Sequence, residues 1–251
     1  MATADWLRAK IGPAPQPTQP ERVRRASVPG LSFFTRYLRQ EMRLLHAYSG
    51  DGKVTTALSE FLPMGGVTGV EPDIANLRVA RTRSYVTTGG DVDFERASLA
   101  DLPFGDNEFD AVVIDGAIST AGSPERALEE VRRVLVPGGV LGARHEISSS
   151  RVLTTDSPVL ERALSRKEAV AEDLGGDPDL GKRQPSLLRE AGFINLRVTS
   201  SSDHRTGDDL LVELSRDGFV PLSENSFDPE EERETVYSFM TVVETVCWKP
   251  A

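Results

Sequence analysis

Residues 43 to 73 read RLLHAYSGDGKVTTALSEFLPMGGVTGVEPD, and the order of residue types in this stretch decides the fold. Leu44 and Leu45 begin an apolar strand, and Gly50 and Gly52 mark a loop. Val54, Leu58, Phe61 and Leu62 form one stripe of a helix that ends before Pro63 and the Gly65-Gly66 pair. Val67 to Val70 is a second strand, and it closes on an acid, Glu71. Strand, glycine loop, helix, strand, acid is the order in which an open α/β sheet builds a nucleotide pocket at the carboxyl ends of its first two strands. Glycines let backbone approach a ligand, the helix start offers free N–H groups, and a carboxylate can accept both ribose hydroxyls. A nicotinamide dinucleotide would call for a third glycine three residues after the second, where this chain has Thr55.

The pattern continues downstream. Asp73 caps a helix through Ile74, Leu77 and Ala80, and Val92 to Ala97 is a weak third strand. Ala111 to Ile114 is a continuous apolar run, as expected of a strand buried on both faces. Ser123-Pro124 opens a helix that buries Ala127, Leu128, Val131, Val134 and Leu135, and Pro137-Gly138-Gly139 turns the chain into the strand Val140 to Ala143. Ser157-Pro158 opens another helix, Leu187 to Ala191 is a short one stopped by Gly192, and Ile194, Leu196 and Val198 alternate as a strand. A last strand covers Thr241 to Trp248. Alternation of this kind implies parallel βαβ units and a doubly wound α/β sheet.

A chain of 251 residues suits one such domain with appendages. Residues 1–41 read as an N-terminal arm, rich in Pro13, Pro15, Pro17 and Pro20, followed by a lid helix in which Phe33, Phe34, Tyr37 and Leu38 have helical spacing. That helix either docks on the sheet edge or covers a ligand. Residues 42–251 read as the α/β domain, with 203–239 as an irregular acidic insertion near the ligand side in which Asp228 to Glu231 reads as a helix start. A formal charge of −10 opposes nucleic acid and anionic membrane surfaces as partners. No signal peptide or spanning segment is visible, and the lone Cys247 excludes an internal disulfide; the expectation is a cytoplasmic protein. Three histidines far apart show no metal-ligand spacing, so no metal is expected.

Four segments together carry a resemblance: GDGKVTTAL, GVTGVEPD, LADLPFGDNEFDAVV over residues 99–113, and ALEEVRRVLVPGGVL over 127–141. The chain resembles the class I S-adenosylmethionine-dependent methyltransferases, in particular the branch acting on small molecules such as quinone and polyketide precursors of secondary metabolism. The resemblance implies a seven-stranded Rossmann-like sheet of order 3-2-1-4-5-7-6 with strand 7 antiparallel, and S-adenosyl-L-methionine as cofactor. It places Tyr48, Gly50 and Gly52 at the methionine end, Glu71 and Pro72 at the ribose, Ser98 and Leu99 beside the adenine, and Asp115 along the cofactor. Plain alternatives stay open: a helix-terminal acid for Glu71 and a simple turn for the glycines. The chain also departs from the family. His46 stands where an acid is usual, Tyr48 replaces the first of three alternating glycines, Ser98 replaces the adenine-reading acid, and Ser119 and Thr120 occupy a place where a histidine is common.

Methyl transfer is displacement at a sulfonium methyl, so the catalyst aligns a nucleophile and removes its proton. Candidates for that proton lie at strand ends: Asp115, His145 and His204. His145 is the preferred base, because imidazole titrates near neutrality and its strand end overlooks the crevice; a surface imidazole paired with Glu146 is the alternative. Asp115 is the second catalytic candidate, and His204 reads as exposed in a polar loop. The function expected is methylation of a small, largely apolar metabolite in a biosynthetic pathway. Two rivals remain: an enzyme of this fold that catalyses a cyclisation or rearrangement with the cofactor absent or structural, and a catalytically silent binding partner. Substrate, accepting atom and oligomeric state are left open.

Overall fold

The computed structural model describes residues 28, 30–84, 89–116, 118, 123–155, 158–173, 175–206, 210, 214, 219 and 237–251. Seven strands form one sheet: β1 (Arg43–Ala47), β2 (Gly66–Val70), β3 (Asp91–Glu95), β4 (Phe109–Asp115), β5 (Leu135–Thr154), β6 (Ile194–Thr206) and β7 (Tyr237–Trp248). Their order is β3-β2-β1-β4-β5-β7-β6, with β7 antiparallel to both neighbours and the other pairings parallel. This is the doubly wound arrangement that the alternating pattern implies.

Helices cover both faces. One face carries α1 (Ser32–Thr35), α2 (Lys53–Ser59) and α3 (Ile74–Ser84); the other carries α4 (Pro124–Val134) and α6 (Gln184–Glu190). The central strand β4 shows why its sequence is apolar without alternation: Ala111 and Val113 enter one core, Val112 and Ile114 the other. Helix α4 starts as expected, with the Arg126 N–H donating to the Ser123 hydroxyl at 3.3 Å ahead of Pro124 in the first turn. Asp73 likewise accepts the Asn76 N–H at 2.8 Å.

Glu130 and Arg133 of α4 explain the LPF and RVL segments physically. Glu130 is buried and accepts the Leu102 N–H at 3.0 Å, while Arg133 donates to the carbonyls of Phe104 (2.7 Å) and Leu102 (3.1 Å) and pairs with Glu130. The Arg133 hydrogen bond and nearby charges hold the Glu130 carboxyl below the usual carboxylate range. A helix charge pair thus staples the loop that leads into β4.

Three expectations need correction. Leu31 to Glu41 is not one helix: only Ser32–Thr35 is α-helical, followed by tight turns, and the segment lies on a sheet face rather than at an edge. Phe33, Phe34 and Leu38 are buried in that core and Tyr37 meets Trp248 edge-on at 5.5 Å, so these aromatics are committed to the sheet and not to a lid. The second correction concerns 203–239. Asp203 to Thr206 and Tyr237 to Phe239 are paired strand, in register from Asp203 with Met240 to Thr206 with Tyr237. His204 is therefore exposed on a strand, its ring 4.9 Å from Phe239, rather than in a loop. Apart from positions 210, 214 and 219, residues 207–236 lie outside the described residues, as do the arm before Val28, Ser119, Thr120, Ser157 and the expected helix start at 228–231. Third, β5 does not stop at Ala143. It runs to Thr154, with a bulge between Ile147 and Val152 opposite Thr241 and Phe239.

Beyond that bulge, β5 stays paired with β7 to Thr154, and helix α5 (Pro158–Asp173) follows it. Leu153, Leu160, Ala163, Leu164, Leu210 and Leu214 form a separate small apolar cluster there. Because β4 ends opposite Arg144, this lobe stands past the carboxyl ends of the parallel strands.

The docking of the N-terminal aromatics depends on Gly142, where an added Cβ would sit 2.4 Å from Phe34 Cδ2. Gly142→Ala is expected to lower unfolding free energy by about 1–3 kcal/mol through overpacking, read as an earlier urea midpoint at unchanged slope. Combining it with Phe34→Leu should recover part of the loss; an unshifted midpoint for the single variant would contradict this packing.

Candidate functional site

The loop after β1 is held in an unusual backbone state. Tyr48, Gly50 and Gly52 have φ of 55°, 54° and 79°, so three alternating positions are left-handed. Glycine adopts that region freely, whereas a side chain costs about 1–2 kcal/mol, so Tyr48 sits at a position shaped for glycine. Its ring packs against the core cluster that includes Leu99 and Val70. An added Cβ at Gly50 would meet nothing within 4 Å, whereas at Gly52 it would lie 2.7 Å from Phe94. Gly50 therefore faces open space and Gly52 permits the helix packing.

Glu71 holds this loop. The Gly50 N–H donates to its Oε2 at 2.9 Å and the Asp73 N–H to its Oε1 at 3.0 Å, and the side chain is buried. Each carboxylate oxygen has two acceptor positions, so one remains on each for a ligand donor. The Ser49 N–H donates to the Val70 carbonyl at 2.9 Å, which ties the loop to β2 as well. Ser49 Oγ is buried and has no hydrogen-bond partner among the described residues.

His46 faces the same end of the sheet. It is 3% exposed, and its Nδ1 lies 2.8 Å from the Thr55 hydroxyl, linking β1 to the start of α2. Burial pushes its imidazole down to about 4 despite the nearby Asp115 carboxylate, so the ring is neutral at pH 7. Thr55, which stands where a dinucleotide loop has its third glycine, is its partner. Sequence reasoning did not foresee that pair.

The sequence-derived residues gather as the topology demands. Tyr48, Gly50 and Gly52 follow β1, Glu71 and Pro72 follow β2, Ser98 and Leu99 follow β3, and Asp115 ends β4, all at carboxyl ends of adjacent parallel strands. Leu99 is fully buried in the core, and Ser98 bridges to Asp101. Asp115 Oδ1 accepts from Arg144 Nη1 at 2.9 Å. Arg144 pairs in register with Asp115 and was missed, because one arginine in an apolar strand gives no periodic signal. His145 follows it on β5, 4% exposed, with Nδ1 2.9 Å from the Glu146 carbonyl. A carbonyl only accepts, so Nδ1 carries a proton, and in the neutral tautomer the lone pair lies on Nε2. That Nε2 is buried without a partner among the described residues.

Comparison with known proteins bears on this geometry. A family model described as methyltransferase domain matches residues 45–143, which span the glycine loop through β5. The chain is 27% identical over 183 residues to the ubiquinone/menaquinone biosynthesis C-methyltransferase UbiE of Shewanella sp. (strain ANA-3), covering 66% of this chain and 71% of that protein. It is 28% identical over 209 residues to the protein called "Probable methyltransferase ltbC" of Aspergillus luteorubrus, covering 76% of this chain and 70% of that one. In fold it is similar to the YcgJ protein of Bacillus subtilis, with a TM-score of 0.65 at 17% identity over 88% of this chain and 97% of the other. The [4+2]-cyclase SpnF also superposes, with a TM-score of 0.53 at 21% identity over 85% of this chain and 76% of that one. Among the described residues no helix is long and apolar enough to cross a membrane.

The buried His46 makes stability depend on pH. Its unfolded-state value is the ordinary 6.5 and its folded value about 4, so the unfolded chain binds the extra proton between them. His46 is therefore fully compatible with the fold above pH 6.5, and stability is lost as pH falls towards 4, by roughly 3 kcal/mol at most. His46→Asn removes this component: the stability difference between wild type and variant should shrink as pH falls through that window. Parallel curves would show that the imidazole is not buried neutral.

Proposed function

We propose that the chain is a class I S-adenosylmethionine-dependent methyltransferase that methylates a small, largely apolar metabolite in a biosynthetic pathway, with His145 as the base. The residues of the crevice fit the cofactor. Glu71 has spare acceptor capacity on both oxygens, Ser49 Oγ is a buried hydroxyl without a partner among the described residues, and Gly50 opens onto free space. Glu71 would hold the ribose hydroxyls, the Tyr48–Gly52 loop the methionine end, and Ser98 with the Leu99 backbone the adenine. When bound, the cofactor supplies a methyl group on a positively charged sulfur, ready for displacement.

One observation carries the base assignment: the lone pair on His145 Nε2, buried, unpartnered among the described residues and fixed in tautomer by the Glu146 carbonyl. A base needs a free acceptor atom near the reacting group, and a locked tautomer keeps that atom ready. Asp115 is less suited, since Arg144 already holds its carboxylate; it orients and balances charge instead. The apolar character of the substrate is supported by the lobe of Leu153, Leu160, Leu164, Leu210 and Leu214, which stands past the strand ends and can exclude water from the acceptor. The UbiE relative, named for ubiquinone and menaquinone biosynthesis, points the same way.

A second reading, a non-methylating reaction such as a cyclisation, draws on Tyr48 and His46. The tyrosine ring fills space where the first of the three alternating glycines would leave backbone bare, and the neutral imidazole cannot serve as a counter-charge. Product analysis separates the readings. Release of S-adenosylhomocysteine in step with product supports methyl transfer, and conversion without it supports the second. His145→Asn should lower turnover by about a hundred to ten thousandfold while cofactor affinity changes less than about threefold; unchanged turnover would remove His145 from the mechanism.

A further inference from the structure

A set of ion pairs crosses the sheet beside the crevice, on the face that also carries His46. Arg144 Nη1 of β5 holds Asp115 Oδ1 of β4 at 2.9 Å, and its Nη2 lies 3.7 Å from Asp203 Oδ1 of β6. Arg205 of β6 holds Asp203 Oδ2 at 2.9 Å and also pairs with Glu146 of β5. Three carboxylates thus face two guanidiniums, leaving one negative charge uncompensated among the described residues. Arginines stay charged, so they do not adjust to close the gap. Neighbouring groups do not close it either. His46, on the adjacent strand β1, is buried and neutral at pH 7. Glu244 of β7, the register partner of Arg144, adds a further acid whose oxygens accept from the Thr199 and Ser201 hydroxyls.

The place of this surplus gives it a role. Asp115 is the last residue of β4, directly before Gly116, a left-handed glycine (φ 70°) with open space at its Cβ position. It lies across from the β1 end that leads into Tyr48. We propose that the Asp115–Arg144–Asp203–Arg205–Glu146 network makes the enzyme discriminate by charge, holding the cationic cofactor more tightly than the spent product. The inference rests on the methyl-transfer reading. In that reaction the sulfur keeps the electron pair of the broken S–CH3 bond, the acceptor supplies the pair for the new bond, and the acceptor's proton goes to His145. The spent molecule has then lost one positive charge. A fixed negative charge attracts the sulfonium form and has little hold on the thioether, so release follows from the chemistry itself. In a partly shielded site about 10 Å across, one unit charge corresponds to roughly a tenfold affinity difference. Arg144 acts here as a positioning residue, keeping Asp115 at the crevice while offsetting enough charge to let the acids be half-buried.

Calorimetric titration of the full chain tests this with three probes: S-adenosylmethionine, S-adenosylhomocysteine, and an analogue with a protonated amine in place of the sulfonium. Wild type should bind both cationic probes about tenfold more tightly than the thioether, with the ratio falling in high salt. Asp115→Asn should bring the ratio close to one. Asp203→Asn neutralises the same network from β6 without touching the crevice wall, and should lower the ratio as well. It keeps the idea testable if the first variant fails to fold. A wild-type ratio at or below one, or a ratio that neither variant moves, overturns the proposal. Equal binding of all three probes with S-adenosylhomocysteine still released would sink this inference alone, whereas substrate conversion without that by-product would sink the methyl-transfer reading with it.

Discussion

The crevice of this protein depends on one buried carboxylate. Glu71 closes β2 and accepts the Gly50 N–H, so the end of one strand fixes the loop leaving the neighbouring strand. Hydrogen bonds to a charged acceptor contribute about 1.5–3 kcal/mol each, and Glu71 makes two to backbone. That is enough to hold a loop with three alternating left-handed residues, one of them Tyr48, against its own conformational strain. The same carboxylate is the group assigned to the ribose. In the proposed reading loop shape and ligand recognition share this carboxylate, so a change at position 71 would disturb both.

Beneath the crevice the sheet is buried on both faces, which makes backbone fit strict. Phe34 lies where any side chain at position 142 would be, and the Glu130–Arg133 pair staples the chain entering β4 to helix α4. β1 and β4 run in parallel register above these contacts, with His46 opposite Val113, two residues before Asp115. The polar groups above are therefore placed by apolar packing below.

Electrostatically the site has exchanged one arrangement for another. An imidazole on β1, neutral because it is buried, carries no counter-charge, while β4 to β6 carry a carboxylate surplus only partly offset by Arg144 and Arg205. His145 lies one residue past Arg144 and is buried, its Nε2 without a partner among the described residues. Arg144 and His145 occupy neighbouring positions of one strand, where side chains alternate between the two faces.

Much of this could be read from residues 43–73 and the two segments that follow. The strand order and the places of Ser98 and Asp115 are those the family resemblance implies, whereas the helix starts at Asp73 and Ser123, the double burial of β4 and the doubly wound sheet follow from capping chemistry, periodicity and the handedness of βαβ units, which are local or near-local rules. What those rules do not reach is pairing between distant segments. The polar run from Ser200 to Thr206 has no alternation to mark it as a strand; it is one because β7 offers a backbone ladder to it. The aromatics at 33 to 38 have helical spacing, yet the flat sheet face around Gly142 decides how they settle. The Arg144 bonds to Asp115 and Asp203, the His46 bond to Thr55 and the orphaned Nε2 of His145 each arise between residues that only folding brings together. Local chemistry therefore determined the scaffold, and the long-range meeting of side chains decided how the polar groups at the strand ends are paired and buried.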